Sequence, residues 1–81
     1  MMDELMHILT ENCPDIDFEG AERLIDDGIL DSLDAVMLVV AINDAFAVEI
    51  TAEELTAENF NSVQAIYALI QRLRSEYSYH S

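Results

Sequence analysis

The chain has eighty-one residues, just over half of them hydrophobic, so a single apolar core can hold it without metal or disulfide support. Seventeen acidic side chains face three arginines and no lysine, a formal charge of −14. That excess argues against nucleic acid and anionic membranes as partners, because binding phosphates takes cationic side chains, and it favours partners with basic patches. Cys13 is the lone cysteine, which excludes an internal disulfide and fits a reducing compartment with the thiol as a small loop or core filler.

The start, Met1-Met2-Asp3-Glu4, shows no basic stretch leading into an apolar one, so no signal peptide is expected. The longest apolar run, 35–42, falls well short of the ~20 residues that cross a bilayer. A cytoplasmic, monomeric domain over 1–81 is the expectation. Residues 2–12 predict a first helix with Leu5, Ile8 and Leu9 on one stripe, stopped before Pro14. A long acidic connection follows over 13–31 and holds both glycines, Gly20 and Gly28; Leu24-Ile25 is expected to anchor it to the core.

Within that connection Asp15, Asp17 and Glu19 precede Gly20, and Asp26 stands where the last ligand of an EF-hand loop would fall. A calcium-binding helical protein with a loop at 15–26 is therefore the rival reading from another class. Against it, Asp26 is shorter than the bidentate Glu such a loop uses, Pro14 interrupts the preceding helix, and Glu22 occupies a position usually apolar. A solvated acidic loop is the simpler account.

The run Gly28-Ile29-Leu30-Asp31-Ser32-Leu33-Asp34 opens the second helix, predicted over 32–46. Asp31 suits an N-cap, Ser32 the first helical position and Asp34 the first turn, where negative charge is favoured. A helix N-terminus also stabilises a phosphate, so a phosphodiester on Ser32 would be electrostatically welcome. This helix is apolar on two sides. Leu38, Ile42, Ala45 and Phe46 share one face; Leu33, Val36, Met37 and Val40 share the other with Asp44 and are expected outside, as an interaction surface.

Val48-Glu49-Ile50 predicts an extended link, and Thr51-Ala52-Glu53-Glu54 a capping box opening a one-turn helix. Asn61 is expected to cap the last helix with Gln64 three residues on. Val63, Ile66, Tyr67, Ile70 and Leu73 form its buried stripe, and Arg72 and Arg74 suit its final turns. The segment 77–81 lacks periodicity and is expected to fray. The fold class is an all-α bundle of three main helices plus one short helix, with a long loop between helices 1 and 2. A hydrolase on Ser32 lacks a Gly-x-Ser-x-Gly elbow, and His7 and His80 stand at opposite ends of the chain, the first on a helix flank and the second in the tail. Zinc has too few ligands, so neither an enzyme nor a metal site is expected.

The segment from Leu24 to Arg72 resembles the acyl carrier protein family: a loop ending in Asp31-Ser32-Leu33, a long apolar helix to Phe46, then Val48-Glu49-Ile50, a short acidic turn and a last helix at Ser62-Val63-Gln64-Ala65. The resemblance implies that Ser32 carries 4′-phosphopantetheine, attached covalently from coenzyme A by a phosphopantetheinyl transferase. Acyl or aminoacyl groups would ride on its thiol as thioesters, to partner enzymes of fatty-acid, polyketide or related biosynthesis. Asp31 would belong to the motif, and Leu33, Asp34, Val36, Met37, Val40 and Asp44 to the surface that partners with basic patches recognise. Met37 departs from the glutamate common in fatty-acid carriers. The Asp-Asp-Gly-Ile-Leu-Asp-Ser-Leu approach also resembles D-alanyl and peptidyl carriers loaded by an adenylating ligase, which stands as the alternative.

Overall fold

The computed structural model describes the backbone of residues 2–80 and the side chains of residues 2–75. Met1 and Ser81 lie outside it, as do the side chains over which the expectations for a frayed 77–81 tail and for His80 were formed. All regular structure among the described residues is helical: α1 (Met2–Asn12), α2 (Ser32–Phe46), a 3-10 turn (Ala52–Glu54), α3 (Ala57–Phe60) and α4 (Val63–His80). This is the expected bundle of three long helices with a long first connection.

Helix α1 packs against α2 and α4, and α3 packs against α4. The buried side chains form one cluster in which Leu5 and Leu9 of α1 meet Leu38 and Ile42 of α2, Phe60 of α3, and Ile66, Leu69 and Ile70 of α4. Burying a side chain of this size contributes about 1.5–3 kcal/mol, which explains how a chain this acidic holds together. Cys13 is part of the cluster, as a core filler.

The connection over 13–31 contains no helix, yet it is more than a solvated strap. Phe18, Leu24 and Leu30 insert into the core, and Ile16, Ala21 and Ile25 pack on its edge. Gly28 sits at φ 71°, a left-handed conformation that costs a side-chain-bearing residue, and its N–H donates to the Ile25 carbonyl to close the last turn before α2.

Several local expectations need correction. Ala45 is exposed, and Ala35 and Val39 join Leu38, Ile42 and Phe46 on the buried face of α2. On α4 the stripe runs through Val63, Ile66, Leu69 and Ile70, with Tyr67 and Leu73 only partly covered. The Thr51–Glu54 capping box is present, the Glu54 carboxylate accepting both the Thr51 N–H at 2.9 Å and its hydroxyl at 2.8 Å. It opens a one-turn helix of the 3-10 type, as expected; a second short helix, α3, follows it and was not expected. The cap of α4 is Ser62, whose Oγ accepts the Ala65 N–H at 3.1 Å. Asn61 ends α3 instead, and its side chain points elsewhere.

Candidate functional site

Ser32 stands exposed at the first position of α2. Asp31 holds it there: its backbone is extended (φ −88°, ψ 178°), its Oδ1 accepts the Asp34 N–H at 2.8 Å, and its carbonyl accepts the Ala35 N–H at 2.9 Å. The cap satisfies one of the N–H groups that a helix start leaves without intrahelical partners. The remaining first-turn N–H groups and the helix dipole favour an anion at this end. The Ser32 hydroxyl is thus solvent-facing, on a fixed backbone, where a phosphodiester is stabilised.

A cleft of about 220 Å³ opens beside it, lined by Ile25 and Leu30 of the long loop, Asp31, Ser32, Ala35 and Val36 at and within the start of α2, and Leu55 and Phe60 from the segment ahead of α4. The lining is apolar apart from Asp31 and Ser32. A small apolar group attached through Ser32 could turn into this space and leave water.

The two walls of the cleft are joined by Asn61. Its Oδ1 accepts the Ile25 N–H at 2.9 Å and the Asp26 N–H at 3.1 Å; its Nδ2 donates to the Asp26 carboxylate at 3.0 Å. Its own carbonyl accepts the Leu24 N–H at 2.9 Å, and the Leu24 carbonyl in turn accepts the Leu30 N–H at 2.9 Å, one residue before Asp31. A line of hydrogen bonds therefore runs from the end of α3 to the start of α2. Nothing local in the sequence announces it, because the partners of the Asn61 side chain lie 35 and 36 residues away.

The outer face of α2 is as apolar as the sequence suggests. Leu33, Val36, Met37 and Val40 are 45–68% exposed, Ile29 in the preceding loop is exposed too, Asp44 is exposed and Asp34 partly so. Cys13 lies on the core side of the same helix end. Burial pushes its thiol above the ordinary range, and the Asp34 and Asp31 carboxylates push it the same way, so it stays protonated near neutral pH.

The acidic residues of the calcium reading do not converge. Asp15, Asp17 and Glu19 are exposed, the Asp26 carboxylate accepts the Asn61 amide, and among the described residues no cluster of three or more such side chains could hold a metal. His7 is exposed on α1 and lies 3.4 Å from Glu11 one turn on. Among the described residues no helix is long and apolar enough to cross a membrane.

A helical bundle with a capped, exposed serine at the start of its second helix has the form expected of a carrier domain. The family described as the phosphopantetheine attachment site matches residues 5–70, and the chain belongs to that family. It is similar to the D-alanyl carrier protein of Lactococcus lactis subsp. lactis (strain IL1403), 36% identical over 53 residues that make up 65% of this chain and 67% of that protein. The acyl carrier protein of Buchnera aphidicola subsp. Baizongia pistaciae (strain Bp) is 47% identical over 49 residues, 60% of each chain. The D-alanyl carrier protein of Lactococcus lactis subsp. cremoris (strain MG1363) matches at 36% over 53 residues, with the same coverage as the first. The chain is a carrier protein whose family holds a covalent 4′-phosphopantetheine. An exposed hydroxyl at a helix N-terminus, with an apolar cleft at its side, fits that group.

Proposed function

We propose that Ser32 is the residue that takes 4′-phosphopantetheine from coenzyme A, and that the protein carries acyl or aminoacyl groups on it between enzymes without catalysing a reaction itself. The observation that supports this most directly is the Asp31-capped, exposed Ser32 inside the matched segment 5–70. The prosthetic group supplies a thiol that bears cargo as a thioester. The chain supplies everything else. Asp31 fixes the first turn so that the Ser32 hydroxyl faces solvent, within reach of a transferase. The N-terminus of α2 offsets the charge of the phosphodiester. The cleft from Ile25 to Phe60 takes up an apolar cargo, and Leu33, Val36, Met37 and Val40, edged by Asp34 and Asp44, dock partners that present a basic rim. Tethering raises the effective concentration of cargo at each partner's active site. We place this work in the cytoplasm, on a monomer, within fatty-acid, polyketide or related biosynthesis.

A second reading, an aminoacyl carrier of the D-alanyl or peptidyl kind loaded by an adenylating ligase, draws support from Met37 on the docking face and from the likeness to two D-alanyl carrier proteins. Intact-protein mass spectrometry tests the first proposal. After incubation with a broad-specificity transferase and coenzyme A the protein gains one arm, and Ser32→Ala gains none while keeping its helical spectrum. A protein that takes no arm, or takes it equally well as Ser32→Ala, ends the proposal. Adding ATP, D-alanine and an adenylating ligase to the armed protein separates the two cargo readings by the mass of the product.

A further inference from the structure

The cleft beside Ser32 has two walls that come from distant parts of the chain: Ile25 and Leu30 from the long loop, Leu55 and Phe60 from the turn and helix ahead of α4. Core packing fixes Leu30 and Phe60, but Ile25 and Leu55 are only half-buried and are held less tightly by it. One polar side chain ties the walls together. Asn61, directly after Phe60, accepts two backbone N–H groups of the loop through a single oxygen and donates to the Asp26 carboxylate through its amide. A primary amide offers an acceptor and a donor on two separate atoms of one short side chain, so it can hold both contacts at once. Alanine offers neither. Aspartate keeps the acceptor and sets two carboxylates against each other.

We propose that Asn61 is a positioning residue that sets how closely this cleft shuts over the cargo on the arm, and so how long an apolar thioester is kept from water. The inference rests on the reading that Ser32 carries the arm. Asn61 does not line the cleft itself. It acts through the loop, holding Ile25 over the cleft and, by way of Leu24 and Leu30, steadying the backbone that leads into Asp31. Loss of the latch lets Ile25 swing out of the loop wall while the core residues Leu24, Leu30 and Phe60 stay packed.

The test compares two cargoes on one protein. A transferase loads the full chain from acetyl- and hexanoyl-coenzyme A, and the two thioesters are cleaved by hydroxylamine at neutral pH. In the native protein the hexanoyl thioester outlasts the acetyl one several-fold more than it does in the free coenzyme A thioesters. In Asn61→Ala this protection ratio falls to that of the free thioesters, and amide exchange at Ile25 and Asp26 speeds up. Asn61→Asp lowers the ratio too. Combining it with Asp26→Asn exchanges donor for acceptor across the same contact and restores the ratio, a reciprocal rescue measured as a double-mutant cycle. This pair keeps the test decisive if Asn61→Ala fails to fold. A ratio unchanged in the single variants, or a lower thermal midpoint with the ratio intact, overturns the latch and leaves the carrier reading standing. A native protein that takes no acyl arm overturns both.

Discussion

Glu54 shows how one exposed side chain is tuned by its partners. Acceptance of the Thr51 N–H, then of the Thr51 hydroxyl, lowers its pKa below the ordinary carboxylate value, and the charge of Arg72 adds to this. A depressed folded-state pKa favours the folded protein wherever the unfolded carboxylate is already ionised, and that contribution disappears as pH falls through the folded value. Glu54→Gln keeps an acceptor and removes the charge. The native protein should therefore have the higher thermal midpoint at neutral pH, with the gap closing only below the ordinary carboxylate range. A gap that stays constant down to acid pH would show that the charge on Glu54 contributes nothing. The comparison at each pH cancels the general effect of neutralising the other carboxylates.

Helix α2 carries the functional design at the scale of elements. Its inner side, Ala35, Leu38, Val39, Ile42 and Phe46, is core, while Leu33, Val36, Met37 and Val40 are turned outward. Val40→Asp, at a side chain 64% exposed, should leave a folded protein that still accepts the arm. Surface changes of this kind usually stay within about 0.5 kcal/mol. Its cargo should transfer poorly to partner enzymes. Collapse of the thermal transition would show instead that this face is buried in solution. The helix ends at Ala47, whose φ of 54° and ψ of 43° place a side chain in the left-handed region. That conformation costs non-glycine residues about 1–2 kcal/mol, and glycine is the usual residue there. Ala47→Gly should raise the thermal midpoint, by less than the full strain because glycine also has more unfolded freedom to lose. A lower midpoint would mean that the Ala47 methyl makes a contact outweighing its strain.

The same elements show what was legible in advance. The outer face of α2, most of its inner face, the Asp31 cap and the Ser32 position follow from 3.6-residue periodicity and capping chemistry, both local signals; Ala35, Val39 and Ala45 do not. The long loop was harder. Phe18 lies between Asp17 and Glu19 with no periodic neighbours, yet it is 3% exposed, because its burial depends on a core assembled from elsewhere. Asn61 is ambiguous for a related reason. Asn-Ser before an apolar run reads equally well with either residue as cap, and only the loop 35 residues upstream, which takes up the Asn61 amide, leaves the role to Ser62.

The whole molecule carries a charge of −14, and this makes folding and partner binding respond to salt in opposite directions. Within the chain most charges are alike. The surface pair of Arg23 with Asp27 at 3.5 Å and the contact of His7 with Glu11 at 3.4 Å are exposed and contribute little. Repulsion among carboxylates therefore opposes compaction, and salt relieves it as the screening length shrinks from about 30 Å at 0.01 M to about 10 Å at 0.1 M. Docking works the other way. An acidic surface around an apolar stripe of four side chains draws a basic partner by long-range attraction, and burial of that small stripe supports only modest affinity. Modest affinity suits a carrier that must leave each enzyme after delivery. As sodium chloride rises over this range the thermal midpoint should climb while the association rate with a partner enzyme falls. Calcium and magnesium should raise the midpoint further through their double charge, with gradual titration and no fixed stoichiometry, since no three acidic side chains among the described residues converge. A midpoint that drops with salt would mean that attractive pairs dominate the folded state. A sharp calcium isotherm of one site, lost in Asp15→Asn, would instead revive the loop at 15–26 as a binding site.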